Sequence, residues 1–440
     1  MGPGDVPVSD PGRPPAVSFW EAFRFWLKLG FISFGGPTGQ IAIMHQELVE
    51  RRRWISEKRF LHALNYCMVL PGPEAQQLAT YIGWLMHRTW GGIVAGGLFV
   101  LPSVFILIAL SWIYVAWGSV PLVAGIFYGI KPAVVAIVLA AAWRIGQRAL
   151  RHPALWGVAA AAFVAIFAFD VPFPAIVLAA ALLGLAGGQL APRLFTGGGG
   201  HGPAHEAYGP AMIDDDTPTP AHALFRWWEF WACLGAGLAL WALVLGALAL
   251  AGGWGGTLAQ MGWFFTKAAL LTFGGAYAVL PYVFQGAVEH YGWLTAPQMI
   301  DGLALGETTP GPLIMVVAFV GFLGAGVAGA LVATYFTFLP SFVFIFAGAP
   351  FVETTHGNLK FSAPLTGITA AVVGVIVNLA LFFAWHVLWP RGWDGGFDWA
   401  SAVIGAAAFV ALFRFKAGIM PVIGACALAG LAVTFVARLA

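Results

Sequence analysis

The sequence predicts an all-α polytopic membrane protein built from two homologous halves in inverted topology, with helices broken or re-entrant at Phe-Gly-Gly and Pro-Gly-Pro motifs. Three observations lead there. The composition is too poor in charge to face water. One half of the chain repeats in the other. A basic loop of the first copy loses every Lys and Arg in the second.

Of 440 residues, 60% are hydrophobic and 9% charged, where a soluble domain carries about 25% charged residues. Lipid must therefore solvate most of the surface, and membrane lipids are the first expected partner. The net charge of +2 lacks the basic face a duplex binder needs, which excludes nucleic acid. Cys67, Cys233 and Cys426 stand alone in apolar runs, so they read as small packers without disulfide or zinc. No GxxxxGK[ST], HExxH or GxSxG occurs. ATP drive is thus not encoded, and a membrane-embedded enzyme would lack a visible nucleophile, acid–base pair or metal set. No cofactor and no metal site are expected.

Residues 1–17 are Pro-rich and read as disordered, with no charged n-region and short apolar stretch to mark a cleaved signal. Beyond them, apolar runs of about 20 residues, the length that spans lipid, recur to the end of the chain. They fall at 20–45, 60–87, 91–116, 119–143, 153–169, 172–191, 228–252, 258–286, 298–325, 327–350, 361–389, 398–413 and 417–438. The two short runs meeting at Asp170-Val171-Pro172 admit a kinked hairpin. Residues 192–226, rich in Gly, Pro, His and Asp, read as a flexible, water-exposed linker between a first half at 18–191 and a second at 227–440. His201, His205 and Asp214 to Asp216 offer metal-ligand chemistry there, but solvated linker composition explains them as well.

The repeat is the strongest internal signal. Lys28 aligns with Lys267 at an offset of 239 (267 minus 28). Without gaps, Phe34-Gly35-Gly36 falls on Phe273-Gly274-Gly275, Trp54 on Trp293, and Pro71-Gly72-Pro73 on Pro310-Gly311-Pro312. One deletion later, at an offset of 238 (339 minus 101), Leu101-Pro102-Ser103 falls on Leu339-Pro340-Ser341. Biased composition does not produce Trp, Lys and Pro-Gly-Pro in one register.

The loop from Arg51 to Arg59 is strongly basic, and its counterpart from His290 to Gln298 has no Lys or Arg. Basic short loops stay cytoplasmic. The two loops then lie on opposite sides, and an odd number of crossings separates them. Arg144, Arg148 and Arg151, and Arg414 with Lys416, should share the basic side. Reaching Arg144 from Arg59 needs an even number of crossings, whereas three apolar runs intervene. The Pro-Gly-Pro run is therefore expected to be a broken or re-entrant hairpin.

Unwound backbone in lipid is costly unless it lines a cavity or is buried in protein. Matching Gly/Pro breaks in two inverted halves thus point to a transport site. Gly35, Gly36, Gln40, Pro71, Gly72, Pro73, Gln76 and Gln77 supply the breaks and amides of the first half. Gly274, Gly275, Thr308, Thr309, Pro310, Gly311 and Pro312 supply those of the second. A helix restarting after such a break presents free N–H groups and a positive dipole end, which suits an anion. Lys28 and Lys267, about two turns before the glycine pairs, add positive charge; snorkelling to the interface is their plainer role. Glu74 and Glu307, on opposite sides of the two Pro-Gly-Pro breaks, are candidate carriers of a coupling proton. Helix capping is the competing role for Glu74.

Taken together, these motifs resemble the chromate ion transporter family in its long, two-domain form. The matching stretches are Phe25 to Gln40, Glu50 to Phe60 with Trp54, Val69 to Gly83 and Leu101-Pro102-Ser103. In the second copy they are Lys267 to Ala276, Trp293, Gly306 to Pro312 and Leu339-Pro340-Ser341. Ala276 replaces Pro37, and the basic loop is lost. The resemblance implies a secondary transporter that exports chromate across the bacterial inner membrane. Chromate is a tetrahedral dianion like sulfate, so sulfate is the expected competitor. A homodimer is compatible with such a chain. The residues by themselves reach a small oxyanion, and leave uptake or exchange of sulfate, another anion, or a channel open beside export.

Overall fold

The computed structural model describes residues 13–34, 36–190, 208–355 and 362–439. Helix α1 (Phe19–Ile32) begins at Ser18, whose hydroxyl accepts the Glu21 N–H at 3.2 Å. It ends at Ser33, and α2 (Gly36–His45) runs on through a π-turn (Gln46–Arg51) to the face where α1 started. There the Arg52 guanidinium stands 5.0 Å from the rings of both Phe25 and Trp54, and Trp54 packs edge-on against Phe25. The run 20–45, long enough to span, therefore does not cross. It doubles back at Phe-Gly-Gly, where Gly36 takes φ +70° and Pro37 has no N–H to continue a helix.

Helix α3 (Glu57–Val69) and the first arm of α4 (Glu74–Trp117) form a second hairpin, with Pro-Gly-Pro at its tip. The returning arm ends at a kink, His87–Arg88, where the His87 ring meets the Val17 carbonyl at 2.9 Å, at the foot of α1. The re-entrant hairpin expected from the charge count is thus present. After the kink α4 and α5 (Pro121–Ala149) cross out and back, α6 (Pro153–Phe169) and α7 (Phe173–Leu190) repeat this, and α8 (Trp227–Gly252) crosses once more. These five crossings bring loop 290–298 to the face opposite loop 51–59. Arg144, Arg148 and Arg151 return to the basic face.

The second half repeats the plan upside down. Helices α9 (Thr257–Leu271) and α10 (Ala276–Phe284), with its π-turn (Gln285–His290), match α1 and α2. Helix α11 (Ala296–Thr308), capped by Thr295, and α12 (Val316–Thr355) match α3 and α4. Even the kink recurs: Ala325 and Gly326 (φ −153° and +61°) reproduce His87 and Arg88 (φ −136° and +56°). Helices α13 (Ser362–Leu388), α14 (Trp399–Phe413) and α15 (Ile419–Leu439) follow. Seven helical segments among the described residues are long and apolar enough to cross a membrane, and α6 and α14 are shorter apolar helices.

The halves exchange their last two helices. Helices α6 and α7 pack on α13 of the second half, α14 and α15 pack on α5 of the first, and α4 and α12 cross at the centre. Small residues permit the close crossings. Gly129 on α5 lies against the backbone of Cys426 and Gly430, and Gly367, its repeat mate on α13, lies against Ala180 and Gly184.

Residues 208–226, read from composition as linker, are instead docked on the basic loop. Met212 N–H donates to Arg53 O at 2.9 Å, and Ser56 N–H donates to Ile213 O at 2.9 Å. Arg59 reaches Thr217 O at 2.6 Å, and the Ser56 hydroxyl reaches Asp215 at 2.7 Å. The acidic run that looked like solvated linker matches the basic loop and Arg13, which pairs with Asp216 at 2.8 Å. His201 and His205 lie outside the described residues, as does the disordered reading of residues 1–12. No group able to hold a metal occurs among the described residues.

The inversion has a direct check. Lys58→Cys and Pro297→Cys occupy matching, exposed positions of the two loops. A membrane-impermeant maleimide should label the first only in inside-out vesicles and the second only in right-side-out ones. Labelling of both from one side would refute the inverted arrangement.

Candidate functional site

The four broken segments meet. Gly72 N–H donates to Thr272 O at 2.7 Å, and Gly311 N–H donates to Ser33 O at 2.8 Å. Ser33 and Thr272 are repeat mates, as are Gly72 and Gly311, so each Pro-Gly-Pro tip binds the residue preceding the opposite half's Phe-Gly-Gly. The reason is local. Helices α1 and α9 end with carbonyls that lack an intrahelical donor. Each Pro-Gly-Pro has a single N–H, because proline has none. In a bilayer neither group finds water, so they satisfy each other across the halves.

Neighbouring side chains reinforce this clasp. Gln40 Nε2 donates to Gly311 O at 2.5 Å and to Ser33 O at 3.3 Å. Gln77 Nε2 donates to Pro71 O at 2.9 Å. The Ser103 hydroxyl donates to Pro310 O, and its mate Ser341 has its hydroxyl beside Gly72. Ser33 and Thr272 each return their hydroxyl to their own helix, at 2.7 Å in both cases. Gly72 at φ +132° and Gly311 at φ +103° use backbone that side chains rarely adopt.

Gln40, Gln76, Gln77, Gly72, Pro73, Pro310, Gly311 and Pro312 are all buried here, with Pro71 half-buried. The Oε1 atoms of Gln40, Gln76 and Gln77, Oδ1 of Asn65 and Oγ of Ser341 are buried without a hydrogen-bond partner. Unused polar capacity of that kind calls for a water or a ligand. Gln76 Nε2 donates to Thr80 at 3.0 Å, while Thr308 and Thr309 bond back to Leu305 O and Gly306 O. The glycine amides of the two Pro-Gly-Pro tips are committed to the clasp. The first turns of α2 and α10, which follow turns at Gly36 and at Gly274–Gly275 (φ +77° and +98°), are where helix geometry leaves N–H groups without an i−4 acceptor, and Ala278 N–H turns back to Gly275 O at 3.1 Å. Gly35 lies outside the described residues.

The charged candidates divide. Glu307 is buried and accepts a hydrogen bond from Tyr277, in the first turn of α10, which joins it to the second Phe-Gly-Gly. Glu74 is half-buried at the first position of α4. Lys28 is exposed and lines an open concavity toward the basic face with Glu21, Arg24 and Arg52. Lys267 is half-buried with its ammonium 5.7 Å from the Trp263 ring. The structure thus brings the glutamines, the breaks and Glu307 together, and holds Lys28 at the rim.

Sequence reasoning missed Ser33, Thr272, Ser103, Ser341 and Tyr277, although the first four form matched hydroxyl pairs in the repeat register. It also missed two ion pairs with buried carboxylates whose members lie far apart in sequence, Arg59–Glu353 and Lys131–Asp301.

Comparison with known proteins agrees with this architecture. A family model described as "Chromate transporter" matches residues 20–185 and again 259–431. The chain belongs to the chromate transporter family. The double match puts one copy of the family's unit in each half. A chromate transport protein of Pseudomonas aeruginosa is 35% identical over 95% of this chain and 93% of its own. One from Cupriavidus metallidurans is 31% identical over 84% of each. A shorter relative, an uncharacterised transporter of Bacillus subtilis, is 28% identical over 31% of this chain and 75% of its own. No solved structure matches the chain.

Proposed function

We propose that this chain is a secondary transporter that exports chromate across the bacterial inner membrane. One observation carries the reading: a reciprocal backbone clasp ties Ser33 and Thr272, just ahead of the starts of α2 and α10, to the opposite half's Pro-Gly-Pro tip. Each start presents first-turn amides and a positive dipole end, which favour negative charge. The unpaired Oε1 atoms of Gln40, Gln76 and Gln77 are acceptors, suited to water that accompanies the anion rather than to its own oxygens. Lys28, with Arg24 and Arg52, makes a positive mouth on the basic side. Lys267 adds charge in the second half. The names of the relatives supply chromate as the substrate. A negative cell interior already drives an anion outward, and Glu307, with Glu74 as the second candidate, adds a coupling proton.

Chromate flux into inverted vesicles tests this. Wild-type vesicles should accumulate chromate above empty ones, and excess sulfate should compete. The double variant Lys28→Gln, Lys267→Gln should lose about tenfold or more of the flux, the effect of removing roughly 1.4 kcal/mol of favourable potential. Wild-type flux equal to that of empty vesicles would remove the chromate assignment. Normal flux in the double variant would remove the lysines from the path.

A further inference from the structure

Two charged clusters, each built on a buried carboxylate, stand on opposite faces of the clasp. Toward the basic face, Arg59 at the start of α3 pairs with Glu353 at 3.5 Å, and Tyr81 donates to the same carboxylate at 2.5 Å. Toward the other face, Lys131 on α5 pairs with Asp301 on α11 at 3.4 Å, and Tyr114 donates to Asp301 at 2.9 Å. Both clusters cross between the halves. Arg59, Tyr81, Lys131 and Tyr114 belong to the first half, and Glu353 and Asp301 to the second.

The repeat relates the two places. Asp301 is the mate of His62, and Tyr114 the mate of Val352. The His62 ring meets the Val352 carbonyl at 3.2 Å, so the contact of Asp301 with Tyr114 has its inverted counterpart beside Arg59–Glu353. On each face the arm of a re-entrant hairpin is thus tied to the far end of the other half's long helix, or to the helix after it. Behind each hairpin lies the matched kink, Arg88 at φ +56° and Gly326 at φ +61°, about which an arm can swing against its long helix. The ties are not fully satisfied. Arg59 Nη1 and Asp301 Oδ1 are buried without a hydrogen-bond partner, so parting either cluster returns a desolvated charge toward water.

We propose that these clusters are the inner and outer gates of the transport path, with Arg59, Glu353 and Tyr81 closing the basic face and Lys131, Asp301 and Tyr114 the opposite one. Both are closed in this structure. The proposal rests on the reading of the chain as an alternating-access transporter. It adds that one cluster opens while the other holds.

The test reads access rather than substrate. Thr308→Cys, beside the clasp and half-buried, serves as reporter in a chain whose Cys67, Cys233 and Cys426 are replaced by alanine. Labelling by an impermeant maleimide is compared in inside-out and right-side-out vesicles. Glu353→Gln should raise labelling from the basic face about tenfold, and Asp301→Asn should do the same from the other face only. The exchanged pair Lys131→Asp with Asp301→Lys should return labelling to the parent level, which separates a gate from a folding defect. Unchanged labelling in both single variants, or a rise from the same face in both, overturns the gates. If labelling follows the prediction while wild-type vesicles move no chromate, the gates stand and the chromate assignment falls.

Discussion

Gly72→Ala and Gly311→Ala are expected to abolish transport and to lower stability by about 3 kcal/mol or more each, the range of strained backbone combined with a buried clash. A Cβ on Gly72 would lie 2.5 Å from Ser341 Oγ and 2.6 Å from Gln77 Nε2. A Cβ on Gly311 would collide with the Ser103 hydroxyl. Relief by moving the tip would break the N–H bonds to Thr272 and Ser33, leaving a donor and a carbonyl unpaired in lipid. Gly97, whose added Cβ meets open space, provides the control: Gly97→Ala should cost little beyond the experimental error. Thermal unfolding in detergent and vesicle flux check both statements. A Gly311→Ala protein with unchanged melting and flux would show that the clasp is dispensable.

The second large effect concerns Glu307. It is buried, bonded to Tyr277, and has Met68 as its repeat mate, so the first half has no equivalent carboxylate. Under the proposed proton coupling, Glu307→Gln should abolish the response of chromate accumulation to an imposed pH gradient. One pH unit is worth about 1.4 kcal/mol per proton, so the accumulation ratio should lose about tenfold per unit. Tyr277→Phe removes only the donor and should shift the pH dependence while keeping the response. Accumulation measured at several imposed gradients decides. A Glu307→Gln transporter that still follows the gradient assigns the proton to another group, and Glu74→Gln is then the variant to measure.

Much of the fold could be read before any coordinate. Low charge, a register shared by Lys28 and Lys267, and the contrast of Arg51–Arg59 with His290–Gln298 are one-dimensional signals, and inversion follows from them. Counting basic residues even located the hairpin at Pro71-Gly72-Pro73. Other features are fixed only in three dimensions. The run 20–45 has the length of a span; its Gly and Pro residues announce the break at Phe-Gly-Gly, and only the fold shows that α2 returns to the face where α1 starts. The clasp is a pairing of backbone groups from residues such as Gly72 and Thr272, and backbone groups leave no trace in side-chain identity. Lys131 is a lone charge in its apolar run and Asp301 shares its run only with Glu307, and only folding shows that Lys131 and Asp301 are partners. The acidic residues Asp214 to Asp216 look like solvated linker until the basic loop they neutralise is seen beside them.

The traded terminal helices carry a consequence for assembly. Because α6 and α7 wrap the second half, and α14 and α15 wrap the first, neither half is enclosed by its own chain. Cut between residues 190 and 208, the protein should yield two fragments that mature only when made together. Nascent chain emerging from the ribosome must wait, its first half incompletely sheltered, until the last residues have been inserted.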